Sequence, residues 1–104
     1  MSKVRVVTGA RTITANSSTS FKTGTDALAA NDYRKSFIIT NMATGKLYVN
    51  LSGTQPTATA CHFVLPGCSS VADGTGGTLS VDGYVGAVTV AGSTAGSYSV
   101  VEFG

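Results

Sequence analysis

His62 is the only histidine of this chain, and it stands between Cys61 and Phe63, with Cys68 seven positions beyond Cys61. Nucleophilic catalysis needs a nucleophile, a base and a group that orients the base. In a strand His62 points away from Cys61 and Phe63, which suits a surface histidine better than a general base. Tetrahedral zinc takes four ligands at recognisable spacings, and neither a second His nor a third Cys accompanies Cys61, His62 and Cys68. Paired acids for glycoside chemistry stand roughly 5 to 9.5 Å apart. Asp73 and Asp82 flank a Gly-rich stretch, yet each precedes a turn glycine, where Asp is routinely structural. Gly74-Thr75-Gly76-Gly77 lacks the Lys and the following helix of a phosphate loop. Calcium at Asp73 needs more oxygen ligands than the local run offers. The residues therefore predict no enzyme, no cofactor, no metal and no small-molecule substrate.

The thiols leave two readings open. A turn at Pro66-Gly67 allows a cross-strand disulfide between Cys61 and Cys68, whereas a protein made in a cytoplasm keeps free thiols. Free thiols are favoured, since Met1–Val7 has no apolar stretch of signal-peptide length. No segment approaches the roughly 20 apolar residues that cross a bilayer, and no membrane partner is expected.

The elements that must position these groups are strands. At 104 residues the chain has room for one modest core. Charged residues make up 12% of it, about half the usual share, and Thr, Ser and Gly supply most of the polarity. That mixture suits strands and turns rather than helix surfaces. A net charge of +2 is too weak to imply nucleic acid, and no cation follows Lys46. Tyr33, Tyr48, Tyr84 and Tyr98 are expected at the core edges with their hydroxyls reaching water.

Residues 1–32 read as an N-terminal arm and 33–104 as a core. In the arm, Lys3–Val7 and Arg11–Ala15 are two alternating runs separated by Thr8-Gly9-Ala10. Asn16–Thr25 reads as a polar linker around Phe21, which is either a core plug or an anchor for a neighbour. Asp26–Ala30, with Asp26 as N-cap, allows at most one helical turn. In the core, Tyr33–Asn41 and Lys46–Leu51 are predicted to form a hairpin through Asn41–Gly45, with positive φ available at Gly45. Thr57–Leu65 follows as a strand that Pro66-Gly67 ends. Cys68–Val71 and Thr78–Val81 bracket the flexible Asp73–Gly77. Asp82-Gly83 is a turn, Tyr84–Val90 a strand, and the last strand runs to Phe103. Six to eight core strands make an all-β protein: an antiparallel β-sandwich or jelly-roll-like barrel with an extended N-terminal arm.

Across Arg34–Glu102, an ordered series of short motifs resembles small structural proteins of tailed bacteriophage virions, of the capsid decoration or cement type. The series is Arg34, Phe37-Ile38-Ile39 and Asn41, then Leu47-Tyr48-Val49, Leu65-Pro66-Gly67, Gly83–Val88 and Val100-Val101-Glu102. The arm and the cysteine pair have no counterpart in that pattern. The resemblance implies a sandwich or jelly-roll module, often trimeric, that binds between major capsid subunits on the virion surface and assembles in the host cytoplasm. A receptor- or carbohydrate-binding module of a phage tail or fibre is the alternative. On the cement reading, Val4, Arg5, Val6, Arg11, Ile13 and Phe21 contact the partner, and removal of residues 1–25 leaves a folded domain.

Overall fold

The structure is a computed structural model that describes residues 14–17, 25–94 and 96–104. Its elements are eight strands: β1 (Thr14–Ser17), β2 (Thr25–Leu28), β3 (Ser36–Asn41), β4 (Leu47–Asn50), β5 (Phe63–Leu65), β6 (Thr78–Asp82), β7 (Val88–Gly92) and β8 (Tyr98–Phe103). They form two antiparallel four-stranded sheets, ordered β1-β8-β3-β6 and β2-β7-β4-β5. The pairs β1–β8, β2–β7, β3–β6 and β4–β5 nest inside one another, as in one long hairpin bent at the β4–β5 connection. Rolling that hairpin up adds the pairs β3–β8 and β4–β7. The outcome is the eight-stranded, double-sheet jelly roll. Rolling also leaves β1 and β6 at the edges of one sheet, and β2 and β5 at the edges of the other.

The period-two patterns fill the space between the sheets. Phe37, Ile39 and Asn41 of β3 are buried and alternate with half-buried Ser36, Ile38 and Thr40. Leu47 and Val49 of β4, Val88 and Val90 of β7, and Tyr98 and Val100 of β8 join Phe37 and Ile39 in one cluster with no exposure to water. Leu79, Val81 and Tyr84 pack against it from the side. Every residue of β7 is buried, because it is an inner strand of its sheet and loops cover its outer face.

Several expectations change. β3 and β4 do not pair: they lie in opposite sheets, and residues 42–46 cross between them. The short Gly-bearing link that suggested a hairpin is a corner of the roll. Gly45 keeps an ordinary negative φ, and a Cβ there would press on the Thr94 and Ser93 side chains. Asp26–Ala30 holds no helical turn, since residues 25–28 pair with β7 across a bulge between Asp26 and Leu28. Ala27 and Leu28 are buried in the core, and that burial overrides a short alanine run's helix propensity. Asn16 and Ser17, read as linker, belong to β1. Of Thr57–Leu65 only Phe63–Leu65 is strand, and Thr57 and Ala60 close a small turn by exchanging main-chain bonds. Residues 84–87 are loop, with β7 beginning at Val88. Asp82-Gly83 turns as predicted, with Gly83 at φ 82°.

Candidate interaction surface

All strands run between two ends of the roll, so the connecting loops gather at two poles. At one pole lie residues 29–35, 51–62, 83–87 and Gly104, and at the other residues 42–46, 66–77, 93–94 and 96–97. A buried polar side chain anchors each pole.

Arg34 anchors the first. Its side chain is withdrawn from water, so burial is stable only with acceptors for its donors on every side. Nε donates to Glu102 Oε1 at 2.9 Å, Nη1 to the carbonyls of Tyr84 (3.2 Å) and Gly86 (2.9 Å), and Nη2 to that of Ala29 (2.6 Å). Its Cζ lies 5.7 Å from the Phe37 ring centroid, which adds a cation–π contact on the core side. Asn31 Nδ2 donates to the same Glu102 oxygen at 3.4 Å, and the Asn31 amide bonds the Val85 carbonyl at 2.7 Å. Loops 29–35 and 83–87 and the end of β8 are thereby one rigid unit. On its outside stand Tyr33, 75% exposed, and the exposed Val85.

Asn41 anchors the second pole, at the end of β3. Its Nδ2 donates to the carbonyls of Gly45 (2.8 Å), Leu65 (3.3 Å) and Pro66 (3.0 Å), and its Oδ1 accepts the Ala43 amide at 3.0 Å. Its main-chain carbonyl accepts the Cys68 thiol at 3.3 Å. A Cβ at Gly76 would run into that carbonyl, and one at Gly67 into the Thr44 carbonyl, so both glycines are held by space. Outside this anchor Asp73 builds the loop tip: its Oδ1 accepts from the Thr75 hydroxyl (2.6 Å) and amide (3.0 Å), and its Oδ2 from the Ser70 amide (2.9 Å). The Thr75 hydroxyl is the largest influence holding the Asp73 carboxyl below the usual carboxylate range. Val71, 71% exposed, projects from this tip.

The groups first considered for chemistry are dispersed. Asp73 and Asp82 sit at opposite poles, separated by the length of β6. His62 lies just before β5 and is exposed; its Nδ1 accepts the Leu51 amide at 2.9 Å, and its own amide donates to Asn50 Oδ1 at 3.0 Å. It ties the ends of loop 51–62 together. Cys61 and Cys68 are both free thiols, half-buried and buried. Among the described residues no three of His, Cys, Asp and Glu converge as metal ligands. Tyr84 is half-buried, and its hydroxyl donates to the Ala87 carbonyl at 2.8 Å. Tyr98 overturns the expectation for the tyrosines: it is wholly buried, and desolvation followed by the Asp26 charge pushes its phenol up.

The proposed contact residues Val4, Arg5, Val6, Arg11, Ile13 and Phe21 lie outside the described residues. Arg34 entered the sequence reading as a member of a motif series and Asn41 also as the start of the Asn41–Gly45 link, and the anchoring role of both was missed. A signal existed for Asn41: Asn followed two positions later by a small residue and then by Gly is an Asx-turn pattern. Nothing in the local sequence marks Arg34, most of whose acceptors come from two distant segments. No model of a protein family, no curated protein and no solved structure matches the chain.

Proposed function

We propose that the chain is a virion structural protein of a tailed bacteriophage that decorates or cements the capsid, binding between major capsid subunits as a homo-oligomer, with a trimer favoured. The observation that carries this reading is the pair of anchored poles on a double-sheet roll. Arg34 and Asn41 bind main-chain carbonyls of the surrounding loops, so those loops are platforms fixed before any partner arrives. Tyr33 on one platform is an exposed aromatic of the kind that fills a neighbour's pocket, and Val85 beside it and Val71 on the other platform are exposed apolar side chains. A prefixed surface loses little conformational entropy on binding, as a cement under steady load requires. The jelly roll itself is used by viral capsid domains, and equally by lectins, so topology supports the reading without selecting it.

The test is native mass by light scattering, for the chain alone and mixed with empty phage capsids. The reading expects an oligomer that co-sediments with capsids at fixed stoichiometry. A monomer that ignores capsids and is retained on a glycan array contradicts it and favours the carbohydrate-binding module.

A further inference from the structure

Sheet edges expose unpaired main-chain groups, and proteins blunt them with short strands, bulges, prolines or cations. The roll has four such edges, of which β1 has four residues, Thr14–Ser17, without Pro or cation. β5 has three residues and is followed by Pro66, and β2 is broken by its bulge. β6 has five unbroken residues, Thr78–Asp82, with no Pro and no cation. Its ladder to β3 includes the Gly83 amide on the Lys35 carbonyl (2.8 Å) and the Asn41 amide on the Gly77 carbonyl (2.9 Å). Bonded pairs alternate in an antiparallel ladder, so the main-chain groups of Thr78, Ser80 and Asp82 face outward. They have no main-chain partner among the described residues. On the core side Leu79 and Val81 are only half covered, while Thr78, Ser80 and Asp82 are exposed.

We propose that the β6 edge receives the N-terminal segment Lys3–Val7 of a second copy of this chain, as an added strand that joins subunits. The inference rests on the homo-oligomeric part of the proposed function. Two properties of the sequence select this occupant. Lys3-Val4-Arg5-Val6 alternates with the period of β6, so Val4 and Val6 cover Leu79 and Val81 while Lys3 and Arg5 share the outer face with Asp82. Charge agrees, since residues 66–87 carry Asp73 and Asp82 and no cation, whereas Lys3, Arg5 and Arg11 are cations.

Reach works against the chain's own arm. Thr14 pairs with Glu102 at the edge opposite β6, and a strand added beyond β6 lies about 19 Å from β1 at about 4.8 Å per strand. Val7 and Thr14 are seven Cα–Cα steps apart, at most about 25 Å, which leaves about 6 Å for the two reversals of direction that an intramolecular strand needs. The same linker carries Lys3–Val7 to a neighbour whose β6 edge lies within about 25 Å of Thr14. An arm of one copy on the edge of the next is a head-to-tail contact, which closes into a ring when the rotation permits.

The test uses the full chain and variants K3E/R5E, D82K, the three changes combined, and S80P, with mass by light scattering over a dilution series and amide exchange at Ser80. The wild type is expected to be oligomeric with Ser80 protected. K3E/R5E and D82K each weaken assembly by about 10-fold, and their combination restores it, because the cross-strand charge pairs are re-formed with exchanged sign. S80P removes an outward donor that the β3 ladder does not use, so it gives a folded monomer. Oligomers indifferent to all four variants overturn the proposal, as does a wild-type monomer, whether or not Ser80 is protected. Capsid co-sedimentation, measured separately, shows whether the cement reading survives such a failure.

Discussion

Arg34 Nε stands 2.9 Å from Glu102 Oε1, with the arginine side chain wholly withdrawn from water and the glutamate nearly so. The pair joins the residues just before β3 to the end of β8, strands that already lie side by side. Its structural weight comes from the other donors of Arg34, which bring in Ala29, Tyr84 and Gly86 from outside that ladder. Removing one partner of a buried pair leaves the other charge uncompensated. R34M is therefore expected to lower the unfolding free energy by about 3–5 kcal/mol, much of the stability of a small domain. E102Q also leaves Arg34 without its counter-ion, but the amide oxygen and three carbonyls still accept from the guanidinium, so it should cost less, about 2–3 kcal/mol. Urea unfolding of both variants checks the order.

Asn41 makes the corresponding prediction at the other pole. N41A strips a donor from three carbonyls and an acceptor from the Ala43 amide. We expect a loss of about 2–4 kcal/mol and faster amide exchange at Ala43 and Cys68, with exchange at Arg34 and Lys35 unaltered.

Gly76 and Gly53 separate close packing from mere glycine content. G76A drives a methyl group into the Asn41 carbonyl, so β6 or the anchor must shift, at about 1–3 kcal/mol. G53A meets nothing within 4 Å and should stay within about 0.5 kcal/mol of the wild type. Equal melting temperatures for the two would contradict this geometry.

Stability should fall at both pH extremes for separate reasons. The Asp73 carboxyl is held below its ordinary range, first by the Thr75 hydroxyl. Its contribution is therefore complete above the unfolded-state value of about 3.9 and is lost as pH falls through the lower folded value. D73N should remove that acid limb, and an NMR titration of Asp73 should show the depressed midpoint. The Tyr98 phenol is pushed up, chiefly by burial. Above about pH 10 the unfolded chain gives up this proton before the folded one does, so stability declines with rising pH. Y98F should flatten that alkaline limb.

The strands were legible where one side faces the core. Phe37 and Ile39, Leu47 and Val49, and Tyr98 and Val100 carry the period-two signal that the interior demands. Pairing was not legible. Residues 42–46 are as short as a hairpin loop, but Lys46 and Ser93 bond across to the β7 side and Asn41 binds Gly45 from within. Only the interior shows that this corner passes between sheets. Ala27 and Leu28 were misread because four residues of alanine and leucine after Asp26 look helical until β7 supplies a ladder. The anchors were hidden for a related reason: the partners of Arg34 lie up to 68 positions away. The pairing of β1 with β8 also revises the truncation experiment, since removing residues 1–25 would take an edge strand with the arm. A deletion that spares both sheets ends before Thr14.

The most direct measurement of the central claim is co-sedimentation of the full chain with empty phage capsids over a titration. The account predicts saturation at one fixed ratio of chain to major capsid subunit, with a shared loss of binding when Tyr33 and Val85 are replaced by Ser. Failure to pellet with capsids at any concentration, by a folded chain, would contradict it.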